Sequence, residues 1–189
     1  GIDPAGYIGT DSDTDTRDQH GHGTHCAGTI GDEGNHSGGV VGVNWNVKIM
    51  GLKMFPDMGS GGLTSWSVEC IEYVIDQKVN YNQNIVAINA SWGGAPFNAT
   101  LKDAIEAAGA AGIVFCAAAG NGGSDGVGDD NDTTPHYPSS YDSSNILSVA
   151  STDHNDLISG FSNYGVTSVD LAAPGSNILS TYPGHYAYT

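Results

Sequence analysis

Positive charge is what this chain has least of. Five lysines and arginines stand against 21 aspartates and glutamates, a formal net charge of −16 with a pI near 4.3. A field of that sign repels nucleic-acid phosphates and anionic headgroups, so nucleic acid and membrane surfaces are excluded as partners. It favours solubility, bound cations and tolerance of salt. Long apolar runs are missing too: none approaches the roughly 20 residues a membrane span needs. No basic segment leads into an apolar run, so no signal peptide is present in these residues. Cysteine is scarce, with Cys26, Cys70 and Cys116 and no CxxC pair, and an odd count cannot be fully paired in disulfides. Their apolar or helical surroundings mark them as small buried hydrophobes, a Cys70–Cys116 disulfide being the less favoured reading. The chain opens on Gly1-Ile-Asp-Pro4 without methionine, and is expected to be a mature or excised piece.

What is present reads as alternating strands and helices within one domain, since 189 residues can bury a sizeable core and neither repeat nor linker divides them. Residues 1–19 are polar, Asp-rich and aperiodic. Val47–Met54 reads as a strand. From Thr64 to Asn80, Val68, Ile71, Val74, Ile75 and Val79 recur at helical steps, with Thr64 as the expected N-cap. Ile85–Ala90 and Gly112–Ala119 are short continuous apolar strands enclosing an Ala-rich helix over Asn98–Ala111. Ile146–Ala150 and Ser168–Ala172 read as further strands, and Gly122–Pro138 as a long acidic loop. Strands buried on both faces and alternating with helices predict an α/β, doubly wound, mainly parallel sheet with helices on both faces. In such folds chemistry gathers at the carboxyl ends of the strands, here Asn89-Ala-Ser-Trp-Gly-Gly94 and Ala117-Ala-Ala-Gly-Asn121.

Chemistry announces itself at His20-Gly-His-Gly-Thr-His25, three of seven histidines within six residues. A zinc site would need a carboxylate where Thr24 stands, and His36, His136, His154 and His185 are scattered in loops, so zinc is not expected. A phosphate cradle would need a preceding strand and a Gly-Lys-Ser/Thr ending, both missing. A third reading is a general base at a helix start: Gly21 and Gly23 keep bulk away from His22, and imidazole titrates near working pH. Ala27, Gly28 and Gly31 are the small residues a tightly packed helix needs. Spacing alone leaves zinc, phosphate and base open.

Gly21-His-Gly-Thr-His-Cys-Ala-Gly28 resembles the histidine motif of subtilisin-like serine proteases, with cysteine in the manner of thermitase and proteinase K. Ser91-Trp-Gly-Gly94 is similar to the family's substrate-binding strand end, and Ala117–Asn121 to its oxyanion segment. Phe161-Ser-Asn-Tyr-Gly165, Asp170-Leu-Ala-Ala-Pro-Gly175 and Ile178–Gly184 continue the resemblance in family order, over about residues 11–189. It implies peptide-bond hydrolysis of polypeptide substrates by a secreted serine endopeptidase, with 1–189 as a single partial catalytic domain. His22 would be the general base, His20 a solvent-exposed loop residue and His25 a satisfied helix histidine. Asn121 would donate its amide to the oxyanion. Gly59, Ser60, Gly61 and Leu63, with Ser91, Trp92 and Gly93, would form two edges pairing with extended peptide. Leu63 and Trp92 would border apolar pockets.

Structural calcium is expected from the same resemblance. Asp11, Asp13 and Asp15 alternate just before the histidine motif, as carboxylates around a hard cation can, and Asn35 is the side-chain candidate in a second calcium loop. Asp170 and the Asp125–Asp132 cluster are weaker candidates. The resemblance also requires a serine and an orienting aspartate. No Gly-Thr-Ser-Met-Ala occurs, and no apolar strand ending in an Asp-Thr/Ser-Gly context precedes His22. The expectation is a catalytic domain truncated at both ends, inactive alone and self-associating through surface laid open by truncation. Two rivals are a pseudo-protease module that grips peptides or calcium without cleaving, and an esterase using Ser124 in Gly122-Gly-Ser-Asp-Gly126. The esterase needs a helix after Ser124, which Val127–Pro135 is unsuited to supply.

Overall fold

Apolar runs bounded by Gly and Asn become one parallel sheet in the structure, a computed structural model that describes residues 16–35, 38–56 and 61–189. The elements are α1 (His22–Gly31), α2 (Thr64–Val79), β1 (Ala87–Ala90), α3 (Ala99–Ala110), β2 (Val114–Ala118), β3 (Ile146–Thr152), β4 (Leu171–Pro174), β5 (Leu179–Tyr182) and β6 (His185–Tyr188). The described residues fall into two compact units, 16–66 with 177–189 and 67–176.

The larger unit holds β1-β2-β3-β4 in that spatial order, every neighbouring pair parallel. α3 makes the β1-to-β2 crossover and packs against β2. It starts because Asn98, extended at φ −137°, accepts from the Leu101 N–H at 3.0 Å, which satisfies one of the helix's orphan donors. Its buried stripe is Leu101, Ala104, Ile105 and Ala108. Asn145 ties helix to strand by donating to the Ile105 carbonyl at 2.9 Å and the Ile113 carbonyl at 3.3 Å. Phe115 is fully buried, worth about 1.5–3 kcal/mol for its side chain. Sequence and structure part company at three points here. The apolar run of β2 is not buried on both faces, because Phe115 and Ala117 point inward while Val114 is 45% exposed. The fourth strand sits at Leu171–Pro174, three residues later than Ser168 suggested. The strand–helix alternation lapses after β2: crossover 119–145 is irregular, as the acidic-loop reading of Gly122–Pro138 expected, and crossover 153–170 is turns and irregular chain as well.

In α2 the buried positions Ser67, Cys70, Ile71 and Val74 keep the predicted helical step, with Thr64 as the first helical residue and Val79 exposed. None of the three cysteines is in a disulfide, which removes the Cys70–Cys116 alternative.

The smaller unit packs α1 against β5 of an antiparallel β5–β6 hairpin. Pro183-Gly184 makes its two-residue turn, with Gly184 at φ 80°. Small residues in α1 allow the close approach: a Cβ at Gly28 would lie 2.6 Å from Ser180 Oγ and nearer still to Thr181 Oγ1. Ser180 Oγ donates to the His25 carbonyl and Thr181 Oγ1 to the Thr24 carbonyl, each at 2.8 Å. Residues 47–54 form no regular strand. Val47 and Ile49 are exposed and Leu52 makes only an isolated bridge, and a chain becomes regular strand only when a ladder partner takes its N–H and C=O groups in succession.

Candidate active site

α1 begins at Gly21, whose φ of 98° turns the chain and whose position offers no capping side chain. Asp18 caps the helix from upstream. Its carboxylate accepts from the N–H groups of His20 (2.9 Å), Gly21 (2.8 Å) and Thr24 (2.7 Å), and from the Thr24 hydroxyl (2.8 Å). Partial burial pushes the Asp18 carboxyl up, but those hydrogen bonds outweigh it and hold it below the usual carboxylate value.

The three clustered histidines separate. His20 is exposed, its ring edge-on to His22 with centroids 6.5 Å apart. His25 is buried, and its Nε2 lies 3.0 Å from the Ile178 carbonyl and 3.2 Å from that of Ala187. Both partners can only accept, so Nε2 carries the proton and His25 is a satisfied structural histidine. His22, the first helical residue, is exposed with Nε2 4.0 Å from Cys26 Sγ one turn along. Its pKa is raised above the ordinary imidazole value, chiefly by the hydrogen bond with Cys26. Partial desolvation opposes this, and the charges of Cys26 and Asp18 assist. The geometry fits a base available to an external partner and does not converge the three rings on one point.

Gly61 and Leu63 belong to the same unit as His22. Gly61 has φ 93°, and a Cβ placed on it would meet no described residue within 4 Å, while Leu63 is 57% exposed. Gly59 and Ser60 lie outside the described residues, as do Asp11, Asp13 and Asp15. Asn35 is exposed with a left-handed φ of 66°. Among the described residues no three His, Cys, Asp or Glu side chains gather to hold a metal ion.

The larger unit carries the other candidates. β1 and β2 are paired in parallel up to Ala90↔Ala117, so Ser91-Trp-Gly93 and Asn121 emerge at the same, carboxyl end of the sheet. Trp92 is half-buried, edge-on to Phe115 with centroids 6.4 Å apart, so it is partly a core residue. Ser91 Oγ accepts from Asn89 Nδ2 at 3.0 Å. Asn121 is exposed between Gly120 at φ 117° and Gly122 at φ 72°. Positive φ at the glycines on either side of Asn121 turns the chain just past β2, where residues other than glycine would be strained, and the Asn121 side chain is exposed at that turn. Ser124 sits in a turn with no helix after it, so the strand–elbow–helix an esterase would need is not formed.

His136 is a residue the sequence reading passed over. Its ring fills the space between the two strand ends: a Cβ at Gly93 would lie 3.1 Å from His136 Nδ1, and one at Gly120 would lie 3.0 Å from His136 Cδ2. Burial lowers its pKa against the opposing charge of Asp129, so the ring is neutral at neutral pH. Its Nδ1 is buried and has no hydrogen-bond partner among the described residues. No spacing in Pro135-His-Tyr-Pro138 signals this position. The Gly94 N–H to Tyr137 carbonyl bond at 3.0 Å creates it by folding the acidic loop back onto β1's end.

This geometry has known counterparts. Residues 5–189 match the subtilase family, peptidase S8. Thermitase of Thermoactinomyces vulgaris is 40% identical over 178 residues, which are 94% of this chain and 57% of thermitase. A thermophilic serine proteinase of Bacillus sp. strain AK1 is 37% identical over 97% of this chain and 41% of its own length. Among solved structures, the S41 psychrophilic protease superposes with a TM-score of 0.82 at 29% identity, covering 99% of this chain and 62% of that one. A cold-adapted subtilisin-like serine proteinase gives 0.73 at 34%, covering 97% and 59%. The chain thus spans roughly half the length of the curated relatives it matches, and its α/β fold is subtilisin-like. On the match over residues 5–189, this chain belongs to the subtilase family.

Proposed function

We propose that these residues are the core of a serine endopeptidase catalytic domain acting on polypeptides outside the cell. The observation that carries the reading is Asn121. It stands exposed at the carboxyl end of β2, in Ala117-Ala-Ala-Gly-Asn121, and no hydrogen bond among the described residues claims its carboxamide. In this role it donates to the oxyanion of the tetrahedral intermediate; in subtilisin, the reference case for this effect, losing such a donor costs about 10²–10³ in turnover. His22, accessible and raised in pKa, takes the proton of a serine hydroxyl and returns it to the leaving amine. Gly61 with Leu63, and Ser91 with Gly93, supply backbone edges for extended peptide.

The nucleophile and the orienting aspartate are not assigned among these residues, and the 189-residue chain alone is expected to lack turnover. The test is a chromogenic peptide together with a fluorophosphonate label, applied to this chain and to the natural protein that contains it. Cleavage and labelling by the natural protein alone support the proposal. A natural protein that binds peptide but takes no label would show a non-cleaving module instead. Calcium is proposed as a structural ion held by Asp11, Asp13 and Asp15, supplying hard-cation crosslinking and no step of the reaction. A melting temperature unchanged by chelation would remove it.

A further inference from the structure

Beside Asn121 lies a buried asparagine pair that the proposed chemistry does not use. Asn163 is 2% exposed and Asn131 is 1% exposed, in loops where asparagine usually faces water. A carboxamide at that depth persists only if its donors and acceptors are met. Here they are met by the backbone on either side of Asn121. The Asn163 N–H donates to the Gly120 carbonyl at 2.9 Å, and its Oδ1 accepts from the Gly122 N–H at 2.7 Å. The same Oδ1 accepts from the Asp129 N–H at 3.0 Å. Asn163 Nδ2 donates to Asn131 Oδ1 at 2.9 Å, and Asn131 Nδ2 in turn donates to the Ala119 carbonyl at 2.8 Å.

Of the peptide groups flanking Asn121, two are therefore pinned by side chains, those of Asn163 and Asn131, and a third by the Asn163 backbone N–H, while no hydrogen bond among the described residues claims the Asn121 carboxamide. The approach is close enough to dictate the neighbouring residue: a Cβ at Gly120 would lie 2.5 Å from Asn163 Nδ2. We propose that Asn163, steadied by Asn131, is a positioning residue that fixes Asn121 for its oxyanion role. The proposal rests on the endopeptidase reading for that role. Donors to a developing charge work by being held in place beforehand, and a misplacement near 1 Å is enough to lose about 10²-fold.

The experiment is a double-mutant cycle of Asn163→Ala with Asn121→Ala in the natural protein that carries these residues, read as kcat and KM on a peptide substrate. Asn163→Ala is expected to lower kcat at least about tenfold with KM within about twofold, and to cost nothing further once Asn121 is alanine. A full additional loss in the Asn121→Ala background, or a change confined to KM, overturns the proposal. If Asn163→Ala does not fold, Asn131→Ala takes its place, because it leaves the Gly122 bond intact and is expected to give a smaller kcat loss of the same non-additive kind. Amide exchange at Gly122, followed by NMR on the same protein, reads the bracing without catalysis. Faster exchange in Asn163→Ala supports it, and unchanged exchange overturns it. A wild type with no turnover but a Gly122 amide that loosens in Asn163→Ala would sink the endopeptidase reading and leave the bracing standing.

Discussion

Replacing Gly28 by alanine sets two well-measured effects against each other. In an exposed helix interior the change stabilises by up to about 1 kcal/mol through helix propensity. Here Gly28 is buried where α1 meets β5, and the new Cβ would sit 2.6 Å from Ser180 Oγ and nearer to Thr181 Oγ1, inside any separation real Cβ atoms adopt. One way out is to rotate the hydroxyls, which breaks the bonds to the His25 and Thr24 carbonyls. Ser180 is fully buried, so its orphaned hydroxyl alone costs about 1–3 kcal/mol. The other way out is to move the helix off the hairpin, an overpacking cost of again about 1–3 kcal/mol. At its middle value of about 2 kcal/mol either cost exceeds the propensity gain, and the net expectation is about 1 kcal/mol of destabilisation after that gain is subtracted. Urea unfolding of the chain, with the m-value checked, measures it directly. Thr181→Ala removes the nearest obstacle, so Gly28→Ala should cost less in that background than in the wild type. A Gly28→Ala chain as stable as the parent would refute the close-packing argument.

Three further outcomes follow from the electrostatics and the hydrogen bonds. Cys26→Ala removes the main cause of the raised His22 pKa, so the imidazole should titrate lower, seen by NMR, and on the endopeptidase reading the turnover of the natural protein should begin at lower pH. In linkage terms the Cys26 contact stabilises the fold below the ordinary imidazole value, and this is lost as pH rises through the folded pKa; Cys26→Ala should flatten that dependence. Burial of His136 works the other way: its lowered pKa means the unfolded chain binds the proton first. Stability should therefore fall as pH drops below about 6.5, and less so in His136→Gln, compared by urea midpoints at neutral and mildly acidic pH. Asp132 is held at about 2, led by Ser168 against its carboxylate, with the Thr167 hydroxyl and the N–H groups of Val166 and Thr167. Asp132→Asn should speed amide exchange at Val166, Thr167 and Ser168, and an unchanged exchange pattern would count against the clasp.

How legible this was depended on whether a residue's partner lay nearby in sequence. α3 could be read closely because its signals are local: an N-capping Asn98, alanines, and an apolar stripe at helical spacing. A helix start at His22 was legible from its small neighbours and the motif, and so was His25 as a satisfied histidine. The hairpin β5–β6 was passed over although Pro183-Gly184 is a turn signal, because short strands of Tyr, Ser and Ala carry little alternation. Val47–Met54 failed for the opposite reason: it has strand composition, but a ladder partner is a property of the fold. His136 and Asn163 were invisible, since nothing in a local window says that residue 136 will face Gly93 or that residue 163 will face Gly122.

The acidic loops also change meaning once the crossovers are known. In a parallel sheet joined by helices, the returning chain satisfies its own backbone. Here the β2-to-β3 and β3-to-β4 returns are irregular, and irregular backbone near a core needs side-chain partners or water. Asp and Asn supply them. Asp132 accepts from the N–H groups of Val166 at 2.8 Å and Ser168 at 2.9 Å. Asp170, a weak calcium candidate by sequence, accepts from the Ser148 N–H at 2.7 Å, while Asn131 and Asn163 fasten the turn after β2. Part of the chain's surplus of acids is thus hydrogen-bond acceptor capacity for backbone that helices would otherwise have paired. That use accounts for the preference for Asp over Glu, because the shorter side chain reaches nearby N–H groups with fewer rotors to freeze. The strand end that presents Asn121 is therefore held by side chains and not by a helix, and it is there that substitutions of the buried Asn131 and Asn163 should act on chemistry before they act on the fold.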